Sequence, residues 1–478
     1  MTGKVEKAEA AATMPCTLAS PSPATSLGIR RAFDCRVLPI VCCLYLLSYI
    51  DRGNIGNAKT AGAQAQLGLD SGQWAWVLNA FYLCYICFQW TTMLWKILAP
   101  HRFVSLLCVC WGVAAMSSGA AQNMTQLLVT RCFLAIFEAT FGSGAPYFLS
   151  MLYQRHELGL RMALLVGMSP LANSFASSLA YGITHIRGSL EPWRLLFIVG
   201  AEGSLTVAFA PVVWFLLIDS PAQATFLSVE ERVVAAQRML LQDSTTGNRV
   251  QWTQVRAGLL DWKNYLHAVI HFCTNFSFAA LSNFLPTIVH DMGHDAIRAQ
   301  GLTAAAYLAA FVVCVAASLA SDRLGRRGFV MAGTASMGVV GYALLATAGN
   351  AGIRYAAVWL AAAGVFPALS INLTWILNNQ GGDSKKGAGL ALLLILGQSS
   401  SLISSTVFPA SDAPFYVKGC AIGCGLTGLV VILGLALHVA LVRENKRRDR
   451  LYGAVEPNDQ RVDVADEGDN QRLFRYLI

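Results

Sequence analysis

Charged residues are scarce in this sequence, where Asp, Glu, Lys and Arg together make up 13% of 478 residues. Soluble globular chains carry about 25% of such residues. Hydrophobic residues make up 55%, the mean hydropathy is +0.50, and the apolar residues are gathered in repeated long runs. The shortage of charge therefore argues against a chain of soluble domains and predicts an integral membrane protein with several spans.

Motifs that bind nucleotides or metals are also missing from the sequence. It has no glycine-rich loop of the kind that cradles phosphates, which argues against a nucleotide-driven pump. Its 13 cysteines show no ligand spacing, so we expect free thiols, no disulfide framework, no metal and no other cofactor. We find no nucleophile-base motif either, and we expect that the protein is not an enzyme.

The basic residues do not form one polar domain. The formal net charge is +8, but Lys and Arg lie mainly between the apolar runs. This distribution is typical of loops beside anionic lipid, so we expect a bilayer and not a nucleic acid as the macromolecular partner.

Apolar runs of about 17–25 residues predict twelve transmembrane helices and no strands. They lie near residues 36–57, 74–94, 103–121, 125–151, 162–184 and 194–217, and then near 263–288, 301–320, 329–348, 352–376, 387–408 and 416–442. The fold class is therefore an all-α membrane protein made of two six-helix halves, and the chain is expected to act as a monomer.

The division of the chain follows from these runs. We expect a disordered tail at 1–34, a first half at 35–217, a linker at 218–262, a second half at 263–442 and a disordered tail at 443–478. The first tail lacks the apolar core of a signal peptide. The linker is expected to be partly helical, with a capping box formed by Ser228 and Glu231.

Orientation is predicted from the basic residues. Lys and Arg are concentrated in the linker, in the flanks of both tails and in the loops on the same side, although the short loops alone differ less. Since basic loops stay on the cytoplasmic side, we expect both termini and the linker to be cytoplasmic.

Two ionisable residues stand within the apolar run that follows Leu127. Arg131 and Glu138 are seven positions apart, which places them on nearly the same face of a helix. An ionisable group at membrane depth costs roughly 2.5–3.5 kcal/mol by insertion scales, so it is kept where it has a partner or lines a wet cavity. The pair is a candidate functional site, with a structural ion-pair network as the alternative.

The loop after the eighth predicted span has the composition of a gate. A carboxylate beside arginines at helix ends can form ion pairs in one conformation and lose them in another. The gating candidates are Asp322, Arg323, Gly325, Arg326 and Arg327. This tract resembles the signature loop of the major facilitator type of secondary transporter, whose two six-helix halves enclose substrate at the midplane. The alternative is a solvated loop that only sets topology.

Further motifs resemble the fungal anion:cation symporters of the allantoate permease type, a family that includes carriers for allantoate, nicotinate and pantothenate. The resemblance covers about residues 36–450 and rests on Asp51–Lys59, Arg131 with Phe137–Ala139, Arg155–Gly159, and Trp375 with Asn378-Asn379. Similarity to vesicular glutamate and sialin-type carriers implies that Arg52 and Arg131 engage an anion and that Glu138 responds to protons.

Other polar residues in the predicted spans are candidates for contact with substrate. They are Asn173, His271, Asn275, Asn372 and Gln398, with Glu202 as a further ionisable residue. An arginine suits a carboxylate substrate because its planar guanidinium donates two parallel hydrogen bonds and stays protonated.

The sequence and the resemblance together imply a transporter for a small organic anion, a carboxylate such as a vitamin or nitrogen-source acid. We expect proton symport by rocker-switch alternating access at the plasma membrane. The alternatives are a proton-coupled exporter of a fungal specialised metabolite with the same fold, and a membrane-embedded enzyme or nutrient sensor.

Overall fold

In the computed structural model, helices are the only regular secondary structure among the residues that it describes. These are residues 23–60, 62–184, 191–198, 203–240, 250–404, 406–408, 412–454, 469 and 471–478. The main helices are α1 Pro23–Arg36, α2 Leu38–Thr60, α3 Ser71–Cys87, α4 Pro100–Gly119, α5 Met124–Leu152, α6 Leu158–Thr184, α7 Pro192–Ile198, α8 Gly203–Leu216, α9 Val229–Leu240, α10 Trp252–Leu260, α11 Trp262–His290, α12 Ala296–Leu324, α13 Arg327–Thr347, α14 Ala351–Asn378, α15 Asp383–Ser404 and α16 Val417–Tyr452.

The predicted all-α membrane fold is confirmed. Within the described residues, ten helical stretches are long and apolar enough to cross a membrane. The two remaining predicted spans fall on α6 and on the consecutive helices α7 and α8, of which α8 is a shorter apolar helix. The predicted run near 74–94 continues beyond α3 through a 3₁₀ turn, Gln89–Met93, and a short helix, Leu94–Ile97.

Local sequence signals explain where several helices begin and end. Asp70 caps α3 by accepting a hydrogen bond from the Gln73 amide at 2.7 Å, and the Gln73 side chain accepts one from the Asp70 amide at 3.1 Å. This reciprocal arrangement satisfies two amides that have no partner within the helix. The end of α12 is set by Gly325, whose φ of 62° lies in the left-handed region that favours glycine.

The two halves meet along their inner helices. Helix α6 of the first half packs against α12 and α14 of the second, and α15 packs against α3 and α5. The largest buried cluster runs through both halves and includes Phe141, Tyr147, Phe278 and Phe366. This shared core places the polar residues of α2, α5, α11 and α15 near the boundary between the halves.

The linker contains two helices, α9 and α10, and its predicted capping box is present. The Ser228 amide donates to Glu231 Oε2 at 2.9 Å, and the Glu231 amide donates to Ser228 Oγ at 3.1 Å. The linker rests on the loops between helices, because Arg238 pairs with Glu157 at 2.6 Å. We call this face of the protein the linker side.

The prediction of two disordered tails is wrong for their described parts. Residues 1–22 lie outside the described residues, but Pro23–Arg36 forms α1, where Asp34 pairs with Arg161 of α6. At the other end, α16 continues to Tyr452, and Gln471–Ile478 packs against the second half. Composition suggested disorder because these segments are polar. Ion pairs and aromatic contacts offset the conformational entropy that the segments lose when they become ordered.

Candidate functional site

An ion pair between α2 and α5 lies within the membrane-spanning region. Arg52 Nη2 donates a hydrogen bond to Glu138 Oε2 at 3.3 Å, and Glu138 is 0% exposed. The sequence predicted Arg131 as the neighbour of Glu138, and the structure adds Arg52 from a second helix as an ion-pair partner. Because a lone buried charge is costly, each member of the pair stabilises the other in its ionised form.

Aromatic rings surround the guanidinium of Arg52. Its central carbon lies 4.8 Å from the ring centroid of Tyr49, 4.5 Å from that of Tyr85 and 5.7 Å from that of Phe81. The central carbon of Arg131 is 5.1 Å from the centroid of the same Phe81 ring. Phe81 therefore faces both arginines, and the π-faces attract the two cations within the protein interior.

A small cavity opens beside Arg52, between the two halves. Four of the residues predicted to contact substrate line it, namely Arg52, Asn173, Asn275 and Gln398. Tyr49, Tyr82 and Phe278 contribute apolar surface to the same lining. A pocket that combines aromatic walls with a few convergent polar groups is typical of a small-molecule site. The sequence did not single out these three aromatic residues, because aromatic residues are common in apolar spans.

The amides around the cavity are partly engaged by the protein itself. Asn275 Nδ2 donates to Ser400 Oγ at 3.1 Å and to Ser401 Oγ at 3.0 Å. Asn173 Nδ2 donates to Ser282 Oγ at 3.1 Å, which joins α6 to α11 across the boundary between the halves. These bonds orient the amide oxygens and tie the cavity wall to both halves.

The other predicted site residues lie outside the lining of this cavity. Arg131 and Glu138 are buried, with 1% and 0% of their surface exposed, and do not line it. Asn372 is bound to a histidine, because His267 Nδ1 lies 2.7 Å from Asn372 Oδ1. His271 is buried against Gly397, where an added Cβ would overlap its ring. Glu202 lies outside the described residues.

The predicted gating tract links the two halves on the linker side. Asp322 Oδ1 accepts from Arg327 Nη2 at 2.9 Å, while Asp322 Oδ2 accepts from the Leu160 amide at 3.0 Å. That amide belongs to the first turn of α6, where free N–H groups and the helix dipole favour an anion. Of the remaining gating candidates, Gly325 ends α12, and Arg323 and Arg326 are exposed.

Further contacts join the halves on the linker side. Lys96 Nζ donates to Ser384 Oγ at 3.3 Å, and Tyr147 Oη donates to the Asp383 carbonyl at 3.1 Å. Arg155 Nε donates to the Asn378 carbonyl at 2.5 Å. In this conformation the halves are closed against each other at the linker side.

The Major Facilitator Superfamily model matches residues 41–405, which is most of the chain. The chain belongs to the major facilitator superfamily. The high-affinity nicotinic acid transporter of Saccharomyces cerevisiae is 28% identical over 466 residues, covering 96% of this chain and 86% of that protein. The MFS-type transporter efuF of Hormonema carpetanum is 31% identical over 432 residues, covering 89% and 87%.

Solved structures agree with this assignment at the level of the fold. The proton:xylose symporter XylE superposes with a TM-score of 0.67 at 12% identity, covering 85% of this chain and 95% of that one. The predicted major facilitator fold and the resemblance to its anion symporter-like members are thereby confirmed. As a superfamily member, this multi-pass membrane protein is a transporter and not an enzyme.

Proposed function

We propose that this major facilitator protein carries a small organic anion, a carboxylate, together with a proton. The observation that carries the proposal is the Arg52–Glu138 ion pair, buried in the membrane-spanning region and adjoining a cavity between the halves. An intramembrane ionisable pair is a functional site by default, because its cost is not needed for folding alone.

The positive charge of Arg52 suits it to bind the anion. Its guanidinium borders the cavity and packs against three aromatic rings. This packing fixes the direction of its N–H donors. A guanidinium donates two parallel hydrogen bonds to a carboxylate and remains charged when water is removed. Arg131, whose guanidinium also lies near the Phe81 ring, adds a second positive charge to the same region.

Glu138 is the group proposed to carry the proton. Burial favours its neutral form, and the positive charge of Arg52 favours its ionised form. A substrate carboxylate that takes over the hydrogen bonds of Arg52 removes the second effect, so Glu138 then gains a proton. Substrate and proton binding are therefore linked, and each favours the other by the same factor.

One of the relatives supports a carboxylate substrate without naming the one used here. The yeast relative is a nicotinic acid transporter, and nicotinic acid is a small carboxylic acid that is an anion at neutral pH. Uptake of a panel of labelled monocarboxylates into vesicles, with and without an imposed proton gradient, tests the proposal. Gradient-stimulated uptake of at least one member is expected. Outward, proton-driven movement would instead identify an exporter of the same fold.

Asp322 is proposed to hold the linker-side gate closed. Replacing Asp322 by Asn removes the ion pair with Arg327 and weakens the bond to the Leu160 amide. The loss of one charge-assisted hydrogen bond raises the linker-side-open population by roughly tenfold. Hydrogen exchange at the first turn of α6 measures this population in purified protein.

Two further variants sharpen the gate experiment. Arg323→Ala is the matched control, since Arg323 is exposed and belongs to the same tract. Gly159→Ala should also open the gate, because a Cβ at that position would overlap the Asp322 carboxylate. Wild-type exchange in both Asp322→Asn and Gly159→Ala would show that the tract only sets topology.

The proposed orientation places both termini and the linker in the cytoplasm, with the protein at the plasma membrane. The basic residues of the linker side, such as Arg238 and Arg256 in the linker, support it. An epitope placed in the linker should be stained in permeabilised cells and not in intact ones. Staining of intact cells would reverse the orientation and the direction of the gate.

A further inference from the structure

The C-terminal segment occupies a groove on the linker side of the second half. Phe474 and Tyr476, two positions apart, are 2% and 4% exposed. They join a buried cluster that includes Trp375, Leu437 and Leu441. We propose that this groove is a peptide-binding site whose occupant is the chain's own segment Gln471–Ile478, and that its occupancy latches the protein in the state closed on the linker side.

Two asparagines bind the backbone of the segment. Asn445 Nδ2 donates to the Tyr476 carbonyl at 2.8 Å, and its Oδ1 accepts from the Tyr476 amide at 2.9 Å. Asn379 binds Leu477 in the same two-bond manner, at 2.9 Å and 2.8 Å. Trp375 Nε1 also donates to the Leu477 carbonyl at 2.7 Å. The backbones of two successive residues are therefore hydrogen-bonded by side chains from two different helices. Main-chain hydrogen bonds of this kind supply affinity in sites that bind peptides.

Charged groups bind the side chain of Tyr476. Its hydroxyl donates to Asp469 Oδ2 at 2.9 Å and accepts from Lys263 Nζ at 3.0 Å. The Arg448 guanidinium carbon lies 4.8 Å from the Tyr476 ring centroid. Arg448 also donates to the Phe474 carbonyl at 3.1 Å. The groove thus contacts the hydroxyl and the ring of Tyr476 and the carbonyl of Phe474.

Asp469, two positions before the docked segment, forms a further anchor on the same groove. Its carboxylate accepts from Lys385 Nζ at 2.5 Å and lies 3.5 Å from Lys263 Nζ. Burial acts to raise the pKa of Asp469, but the two lysines outweigh burial and leave this pKa below its ordinary value. A lowered pKa stabilises docking above the ordinary value of about 4, and this contribution is lost as the pH falls below it. The anchor is therefore fully ionised at neutral pH.

Arg155 connects the docked segment to the first half. It lies in the loop between α5 and α6, and its Nη2 donates to the Arg475 carbonyl at 3.2 Å. Its central carbon is 4.4 Å from the Phe474 ring centroid. The same guanidinium donates to the Asn378 carbonyl of the second half. Opening of the linker side separates the halves at this point, so it removes Arg155 from the segment.

The segment thus adds contacts to the closed state that the open state lacks, and a ligand that favours one state shifts the equilibrium toward it. Release of the segment would raise the population open on the linker side. This inference rests on the proposed alternating-access transport, but it requires neither the carboxylate substrate nor the role of Glu138.

Hydrogen exchange of the purified full-length protein tests the latch. In the wild type, the amides of Tyr476 and Leu477 should exchange at least about tenfold more slowly than in a free peptide of the same sequence, because both are hydrogen-bonded in the groove. Asn445→Ala removes the bond from the Tyr476 amide and the bond to the Tyr476 carbonyl, and it should speed exchange of the Tyr476 amide roughly tenfold. It should also speed exchange at the first turn of α6, which lies at the closed linker side.

Further variants distinguish a latch from a segment that only stabilises the second half and does not affect opening of the linker side. Tyr476→Phe removes the hydroxyl bonds while keeping the ring, and it should give the same pattern with a smaller change. Arg155→Lys should speed exchange at α6 while the segment stays protected. Arg472→Ala, which changes an exposed residue of the same segment, should leave both regions unchanged. An unprotected segment in the wild type, or a freed segment with wild-type exchange at α6, would overturn the proposal.

Discussion

Replacing Glu138 by Gln should abolish accumulation of the substrate while exchange across the membrane persists. Glutamine keeps the size of the side chain and can still donate or accept hydrogen bonds, but it neither binds nor releases a proton in the physiological range. Coupling to one proton allows about a tenfold concentration ratio for each unit of pH difference. In the variant this ratio should fall to about one, whereas counterflow of labelled against unlabelled substrate should continue.

Vesicles that hold an imposed pH gradient provide the measurement. Glu157→Gln is a suitable control, because Glu157 is a buried carboxylate at the linker side that binds Arg238 and does not line the cavity. It should leave accumulation coupled to the gradient. If Glu138→Gln still concentrated substrate with unchanged pH dependence, the proton site would lie elsewhere. Asp51, which is buried and accepts from Trp111 Nε1 at 2.6 Å, would be the next candidate.

Arg52→Ala should reduce the affinity for substrate more than any other single change at the cavity. Truncating one member of a buried, hydrogen-bonded charge pair costs about 2–5 kcal/mol, or roughly 30- to 4,000-fold in affinity. The variant loses the proposed bonds to the substrate and removes the hydrogen bond from Arg52 to Glu138. Arg52→Lys keeps the charge but not the planar pair of donors, so a smaller loss of roughly tenfold is expected.

Folding and substrate binding must be separated in this experiment. Lys59→Ala, at the exposed end of the same helix, is the matched control for a loss of positive charge. Surface abundance should be similar in all variants, and the dissociation constant should be measured on protein that has reached the membrane. Arg131→Ala, in contrast, is expected to abolish transport. Wild-type affinity in Arg52→Ala protein at the surface would show that Arg52 is a structural residue.

Much of the architecture could be predicted from the sequence. Long apolar runs must form helices in a bilayer, because their backbone groups find no other partners there. The capping box at Ser228 followed from local spacing. These features depend on short stretches of chain and on general properties of the bilayer. Helix α6 and the consecutive helices α7 and α8 accordingly lie where runs were predicted.

The partners of the site residues could not be predicted in the same way. Spacing on one helix related Arg131 to Glu138, but only the packing of α2 beside α5 brings Arg52 to the same carboxylate. The shared ring of Phe81 likewise comes from a third helix, α3. Contacts between distant parts of the chain depend on how whole helices pack, and a single sequence does not contain that information directly.

The ordering of the C-terminal segment could not be predicted from local sequence either. Its composition favoured disorder, and the contacts that order it come from residues far away in the chain, such as Asn379 and Lys385. The pair Phe474 and Tyr476, two positions apart in a polar tail, was the signal that could have suggested an extended docking segment. Alternating aromatic residues are used in this way when a peptide lies across a groove.

The movement of protons with the substrate tests the central claim most directly. Purified protein in vesicles, with a pH-sensitive dye inside and the membrane potential clamped to zero, should acidify the interior when a transported carboxylate is added outside. Acidification should match substrate uptake in the wild type and be absent in Glu138→Gln protein that still exchanges substrate. Substrate uptake by the wild type without any proton movement would contradict anion–proton symport.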